Sequence, residues 1–302
     1  MIKKECFTAE WIEQVSSELH YNDKNLIEKV IRALSLLEML VKAGCPLVFK
    51  GGTALMLILG KSAHRLSIDI DLICPPGTNI EDYLKSFADF GFINLELVER
   101  KQRDDADIPK SHSKFFYQIA YRNDTDAQSY ILLDVLYEDI HYFRTQQIAI
   151  NCPFIRLEGK PLMVTVPSAE DILGDKLTAF APNTTGIPYY KNGRSCSMEI
   201  AKQLYDVGRL FENVSDLQIT KEAFRKIAVV ELSYRSFGTD IGQVFNDIRQ
   251  TALCISTRGK AGEGDFDLIQ DGIIRVKSFM YKQRYPVSYT HLRAHETRSN
   301  LV

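Results

Sequence analysis

The sequence predicts an α/β fold: a mixed sheet flanked by helices, followed by a C-terminal α-helical domain. Up to about residue 165, short apolar or alternating runs that stop at glycine or proline are interleaved with amphipathic stretches. Beyond Pro167 nearly every segment has helical spacing and β-rich runs are few. A chain of 302 residues, 45% hydrophobic and 25% charged, has ordinary globular composition and the length for two domains. The expected organisation is a catalytic-type domain over residues 1–165, a helical domain over 166–286, and a non-native or disordered tail over 287–302, which lacks periodicity.

Over residues 25–43, Leu26, Ile27, Val30, Ile31, Leu34, Leu37, Leu40 and Val41 recur at helical spacing, and Gly44 follows as a terminator. Pro46-Leu47-Val48-Phe49 then runs into Gly51-Gly52, Thr53 and an apolar stretch over 54–59. That pattern predicts strand, tight turn and a helix capped by Thr53. Residues 67–74 alternate polar and apolar before Pro75-Pro76-Gly77 stops them, which predicts a half-buried strand. A helix is expected over 79–90 through Ile80, Tyr83, Leu84 and Phe87, then strands over 92–98, 114–121 and 129–137. In the second half helices are expected over 169–180, 198–211, 221–234, 241–255 and 266–281, with a loop over 181–193.

Composition excludes several classes. The longest apolar runs fall far short of the ~20 residues that cross a bilayer, and the first residues lead into no apolar signal core, so a cytoplasmic protein without membrane contact is expected. Six cysteines (Cys6, Cys45, Cys74, Cys152, Cys196, Cys254) show neither Cys-x-x-Cys pairing nor clustering with histidine, which points away from a disulfide framework or a zinc site. A formal charge of −2 rules out a general basic coat. The acidic excess sits in residues 1–165, with 23 Asp+Glu against 19 Lys+Arg, where a cation site would want it.

Side chains alternate along an extended strand, so Ser67, Asp69 and Asp71 share one face, with the two carboxylates ~7 Å apart along the strand. Like charges so placed repel. A divalent metal turns that repulsion into attraction, and Mg²⁺ favours one or two carboxylates together with substrate phosphates. The competing reading is a pair of aspartates that merely face solvent. Gly51-Gly52-Thr53 lets backbone N–H groups approach a phosphate at a helix N-terminus, with Lys50 adding a point charge; it would serve equally as a tight capped connection.

Asp134 lies in Tyr130-Ile131-Leu132-Leu133-Asp134-Val135-Leu136-Tyr137, a run apolar on both faces that suits a central strand. A carboxylate there reads as a third metal ligand, as a general base that deprotonates an attacking hydroxyl, or as a strand-end group paired with an arginine. Glu138 or Asp139 could be the active one instead. Lys176 falls between Ile172 and Phe180 on a packing face, where it either snorkels or reaches a buried anion. Asp206 could orient Lys176 or pair with Lys202 one turn earlier.

Taken in order, Lys50-Gly51-Gly52-Thr53-Ala54-Leu55, Arg65-Leu66-Ser67-Ile68-Asp69-Ile70-Asp71-Leu72, Asp175-Lys176-Leu177-Thr178-Ala179-Phe180 and Leu204-Tyr205-Asp206-Val207 resemble the AbiEii/AbiGii nucleotidyltransferase toxins, which include the MenT toxins. That family lies in the DNA polymerase β-like nucleotidyltransferase superfamily, and the resemblance spans roughly residues 48–211. It implies a polymerase β-like mixed sheet, Gly52 and Thr53 as the nucleotide-binding turn, Asp69 and Asp71 as metal ligands, Lys176 at the nucleotide triphosphate and Asp206 as an essential acidic partner. Serine is common in the family where Thr53 stands.

The reaction implied is Mg²⁺-dependent transfer of a nucleoside monophosphate from a nucleoside triphosphate to an acceptor hydroxyl, with Arg65 or Lys176 steadying the departing phosphates. A tRNA 3′ end is the implied acceptor and a small antitoxin protein the implied partner, in a toxin–antitoxin or abortive-infection system. Where the family often has an arginine-rich turn before its Tyr-Asp motif, this chain has Ser197 to Gln203 and a long preceding loop, which puts that acceptor in doubt. Arg100, Lys101, Arg103, Lys110, His112 and Lys114 form a basic stretch that suits phosphate contacts or a solvated loop. The rival expectations are a nucleotidyltransferase acting on a small molecule or protein, and a catalytically silent nucleotide-binding or antitoxin-docking protein.

Overall fold

The computed structural model describes residues 1–97, 109–122, 127–235, 238 and 240–281. The chain opens with α1 (Ala9–Leu19), capped by the Thr8 hydroxyl, which accepts from Trp11 N. Next comes α2 (Lys24–Lys42), where the Asp23 carboxylate caps Leu26 N. The apolar stripe of α2 expected from spacing is buried, and the helix ends at Gly44 with φ +77°. Three of its charged residues, Glu28, Arg32 and Glu38, are buried as well and have partners: Arg32 Nη2 lies 3.4 Å from Glu28 Oε1, and Glu38 accepts from Ile2 N at 2.9 Å.

β1 (Val48–Lys50) leads directly into α3 (Gly51–Leu59), and β2 (Ile70–Cys74) follows. β3 (Asn94–Leu97), β4 (Lys110–Gln118) and β5 (Gln128–Tyr137) complete a five-stranded sheet in the order β1-β2-β5-β4-β3. β2 and β5 run parallel, and the other neighbours are antiparallel, so the sheet is mixed. Alternation decides the faces. Ile131, Leu133 and Val135 of β5 and Ile70 and Leu72 of β2 join α1 and α2 in the first core. Leu132 and Asp134, one residue out of phase, fall on the other face.

β6 (Thr145–Ala149) and β7 (Met163–Pro167) pair as a separate antiparallel ribbon. From there α4 (Ala169–Ala179), the short pair β8 (Tyr190–Lys191) and β9 (Arg194–Ser195), α5 (Ser197–Phe211), α6 (Leu217–Ser233), α7 (Ile241–Ser256) and α8 (Phe266–Val276) follow. The helices share a second core through residues such as Leu173, Leu204, Phe224, Ile248 and Ile269. Leu55 of α3 belongs to this second core, whereas Ala54, Met56 and Leu57 belong to the first. The helix that follows the double glycine is thus packed from both sides.

Some local expectations differ from the structure. The segment 79–90 is two 3₁₀ turns, Ile80–Tyr83 and Phe87–Phe90, not an α-helix. Ile80, Leu84 and Phe90 are buried one by one, and Gly91 at φ +80° ends the segment before a full helix can propagate. Residues 67–69 lie outside the ladder, which begins at Ile70. The expected loop over 181–193 contains β8, and Asn192-Gly193, with φ of +52° and +74°, makes the two-residue turn that joins it to β9. The helix α1 and the β6–β7 ribbon were not foreseen. Arg100, Lys101, Arg103, Val98 and the tail 287–302 lie outside the described residues.

Candidate active site

Strand register places four ionisable side chains in one row across the sheet. Lys50 of β1 is the Cα partner of Asp71 on β2, Asp71 of Asp134 on β5, and Asp134 of His112 on β4. The sequence separates these residues by up to 84 positions; the sheet makes them neighbours at ~4.8 Å strand spacing. The two carboxylates stand in the middle of the row and the cationic or imidazole groups at its ends.

The double glycine is what allows the turn to sit against this row. Gly51 has φ +78°, and a Cβ there would collide with the Asp71 carboxylate. A Cβ on Gly52 would come within 2.6 Å of Ser67 Oγ and 2.9 Å of Arg65 Nη2. Thr53 does not cap α3: its hydroxyl donates to the Asp69 carbonyl at 2.7 Å, and the residue is fully buried. Thr53 therefore pins the residue before β2 to the helix, and the N-cap position falls to Lys50, which makes no side-chain cap bond.

Electrostatically the row is strained in the way a cation would relieve. Burial, reinforced by the neighbouring Asp69 and Asp134 carboxylates, pushes the Asp71 carboxyl up to about 7. Asp69 is raised too, chiefly by burial, with Asp134 adding to it and Lys202, Lys29 and Arg65 opposing. Asp134 accepts from His112 Nδ1 at 2.5 Å, so its near partner is an imidazole and not an arginine. Among the described residues no three His, Cys, Asp or Glu side chains converge closely enough to enclose a metal ion by themselves. That donor set suits Mg²⁺, which takes one or two carboxylates and completes its shell with water and phosphate oxygens.

Around the turn lie two ion-pair nodes, both anchored on α4. Asp206, almost completely buried on α5, accepts from Arg65 Nε at 2.9 Å and Nη2 at 2.7 Å, and Lys176 Nζ lies 3.0 Å from its Oδ2. Burial alone would raise the Asp206 carboxyl, but Arg65 and Lys176 outweigh it and hold the group below its ordinary range. Lys202 is not its ion-pair partner; that ammonium sits 4.0 Å from the centre of the Phe279 ring. On the other side, Lys50 Nζ pairs with Asp175 Oδ2 at 3.1 Å, and Tyr142 Oη donates to the same oxygen at 2.8 Å. Successive residues of α4, Asp175 and Lys176, thus hold the two flanks of the double-glycine turn.

A cleft of about 270 Å³ opens beside the row, lined by Lys50, Asp71, Asp134, His112 and Lys110 from the sheet and by Arg235 beyond α6. Arg235 is itself paired with Glu231. Lys110, His112 and Lys114 lie on β4 and not in a loop, and Lys114 pairs with Glu96 at 3.5 Å. The alternative acids are placed otherwise: Glu138 accepts from Tyr234 Oη at 2.7 Å, and Asp139 is exposed. A larger, apolar cavity of about 580 Å³ lies among the helices at Leu177, Phe211, Phe224 and Phe245 and holds none of these carboxylates.

The expected residues Lys50, Gly51, Gly52, Asp69, Asp71, Asp134, Arg65, Ser67, Lys176 and Asp206 are therefore brought into one neighbourhood. Sequence reasoning passed over Asp175 and the tie from His112 to Asp134. Only strand register and helix packing reveal them.

A strand, double-glycine turn and helix set against in-register aspartates on two neighbouring strands of a mixed sheet is a layout that suits a nucleotidyltransferase. The chain belongs to the AbiEii family of nucleotidyl transferase toxins of type IV toxin–antitoxin systems, whose model matches residues 33–294. Among solved structures it is similar to JHP933 from Helicobacter pylori, with 14% identity, 100% of this chain and 95% of that one covered, and a TM-score of 0.44. It is also similar to MenT4, a nucleotidyltransferase toxin from Mycobacterium tuberculosis, with 14% identity, 96% and 89% covered, and a TM-score of 0.48. No curated protein sequence matches the chain. Among the described residues no helix is long and apolar enough to cross a membrane.

Proposed function

We propose that this nucleotidyltransferase moves a nucleoside monophosphate from a nucleoside triphosphate to the 3′-terminal hydroxyl of a tRNA in a Mg²⁺-dependent reaction. It would act in the cytoplasm and be restrained by a small antitoxin protein. The observation that carries the reading is the in-register pair Asp71 and Asp134, set beside Asp69 and closed on one side by the Gly51-Gly52 turn.

Asp69 and Asp71 are the residues that would hold Mg²⁺, with Asp134 next to them; the ion would neutralise charge on the attacking and departing oxygens. The chain's own groups do the rest. Backbone N–H groups of the turn and the Ser67 hydroxyl offer donors to the nucleotide. Arg65 and Lys176 share the one charge of Asp206, which leaves that node a net positive field for the pyrophosphate. Asp134, with one oxygen engaged by His112, keeps the other for the acceptor's proton. The acceptor oxygen bonds to the α-phosphorus, the bond from that phosphorus to the bridging oxygen breaks, and pyrophosphate leaves with its electron pair. Positioning and charge matching supply most of the acceleration.

The test is incubation with each labelled nucleoside triphosphate, Mg²⁺ and either total tRNA or a panel of small hydroxyl compounds. Label that enters intact tRNA but not tRNA whose 3′-terminal diol was oxidised beforehand is the expected result. Label confined to small products or to protein would replace the tRNA acceptor while leaving nucleotidyl transfer in place.

A further inference from the structure

The apolar stripe of α6 is only partly covered by its neighbours. Ala223, Phe224 and Ala228 are buried, but Leu217 at the start of the helix is exposed, and the cavity of about 580 Å³ opens beside it. Leu177 of α4, Phe211 of α5, Phe224 of α6, and Ile241 and Phe245 of α7 wall this space. Its volume lies in the range of pockets that hold a small organic molecule.

The polar groups of the cavity are few and of one kind. Lys221 and Arg225, one turn apart on α6, both line it and both are exposed, and among the described residues neither forms an ion pair. No aspartate or glutamate among the described residues lines it. Thr220, only 4% exposed, stands on the same wall between Leu217 and Phe224, and among the described residues its hydroxyl has no hydrogen-bond partner. Buried hydroxyls are nearly always satisfied, so a donor left over beside a cavity points to an acceptor brought by an occupant.

These features select that occupant. Two cations without an acid call for an anionic end, the Thr220 hydroxyl for an oxygen acceptor, and the phenylalanine walls for an apolar body. The stretch of α6 that lines the cavity, from Leu217 to Arg225, is ~12 Å long at ~1.5 Å per residue, about the length of ten bonds of extended chain.

We propose that the cavity binds a medium-chain fatty acid, with the alkyl chain among Phe211, Phe224 and Phe245 and the carboxylate at Lys221, Arg225 and the Thr220 hydroxyl. The site shares α4 and α5 with the Asp206 node, and Leu177 directly follows Lys176, but it contains none of the carboxylates of the active-site row. It stands independently of the nucleotidyl-transfer reading.

The test is calorimetric titration of the full chain with octanoate, decanoate and decyltrimethylammonium, the last carrying the same chain with the opposite charge. Decanoate should bind with one site per chain, about tenfold more tightly than octanoate because two more methylenes are buried. Decyltrimethylammonium should bind at least tenfold more weakly than decanoate. Lys221→Met and Arg225→Met should each weaken decanoate about threefold to fivefold, as expected for exposed charges, and Lys160→Met should leave it unchanged. Ile241→Trp, which fills the cavity, should abolish binding; if that variant does not fold, the two rim variants at exposed positions carry the test. Absence of decanoate binding, equal affinity for both chain charges, or parental affinity in the folded rim variants would overturn the proposal. So would a dimer in sedimentation that Leu217→Asp dissolves and decanoate leaves intact, which would give this face to a second copy of the chain.

Discussion

Asp71 and Asp134 are direct partners on the two parallel strands at the centre of the sheet, 63 residues apart in sequence and adjacent in space. No arginine or lysine separates them within the row. Folding therefore spends stability to hold two carboxylates together, which makes sense where a cation arrives with the substrate.

The first prediction concerns that cost. Without divalent metal, Asp71→Asn should stabilise the protein by about 1 to 3 kcal/mol, because the half-buried carboxylate no longer repels Asp69 and Asp134. Adding Mg²⁺ should raise the melting temperature of the parent and not that of the variant. Transfer activity should fall by about three orders of magnitude or more. Thermal melts with and without Mg²⁺, together with a transfer assay, check all three.

A second prediction contrasts two glycines with nearly equal φ, Gly44 at +77° and Gly51 at +78°. Around Gly44 a Cβ would meet nothing within 4 Å, whereas at Gly51 it would strike Asp71. Gly44→Ala should cost about 1 to 2 kcal/mol of backbone strain alone. Gly51→Ala should cost visibly more and also abolish transfer, since either the turn or Asp71 must move. Urea unfolding of the two variants measures the difference.

The Asp206 node yields a pH dependence. Arg65 and Lys176 depress its carboxyl below the ordinary 3.8, against the effect of burial. A depressed folded-state value means that the node's stabilisation is complete above the ordinary value and is lost as pH falls through the folded one. Asp206→Asn leaves two buried cations without their counter-ion and should cost about 3 to 5 kcal/mol at neutral pH. Parent and variant should converge in stability as the pH drops below 3.8. Denaturant unfolding across the acid range checks both sign and window.

Much of the fold was legible because its signals are local. The stripe of α2, the breaks at Gly51-Gly52 and Pro75-Pro76-Gly77, and the helical spacing beyond Pro167 each depend on a few neighbouring residues. The Asn192-Gly193 turn was a local signal too, hidden inside a segment read as loop. What could not be read is what depends on register. Nothing near His112 in sequence says that it meets Asp134, and nothing near Lys50 says that Asp175 holds it. For Asp206 both candidate partners were in view as one helix turn or one helix away; only packing chose Lys176, added Arg65 and left Lys202 against the Phe279 ring.

The most direct test of the carboxylate row as the metal and nucleotide centre is a crystal soaked with Mn²⁺ in place of Mg²⁺ and a non-hydrolysable nucleoside triphosphate. The account predicts anomalous density between Asp69 and Asp71, with the triphosphate lying over the Gly51-Gly52 turn. Metal bound elsewhere on the protein, with Asp69 and Asp71 free of it, would contradict the account.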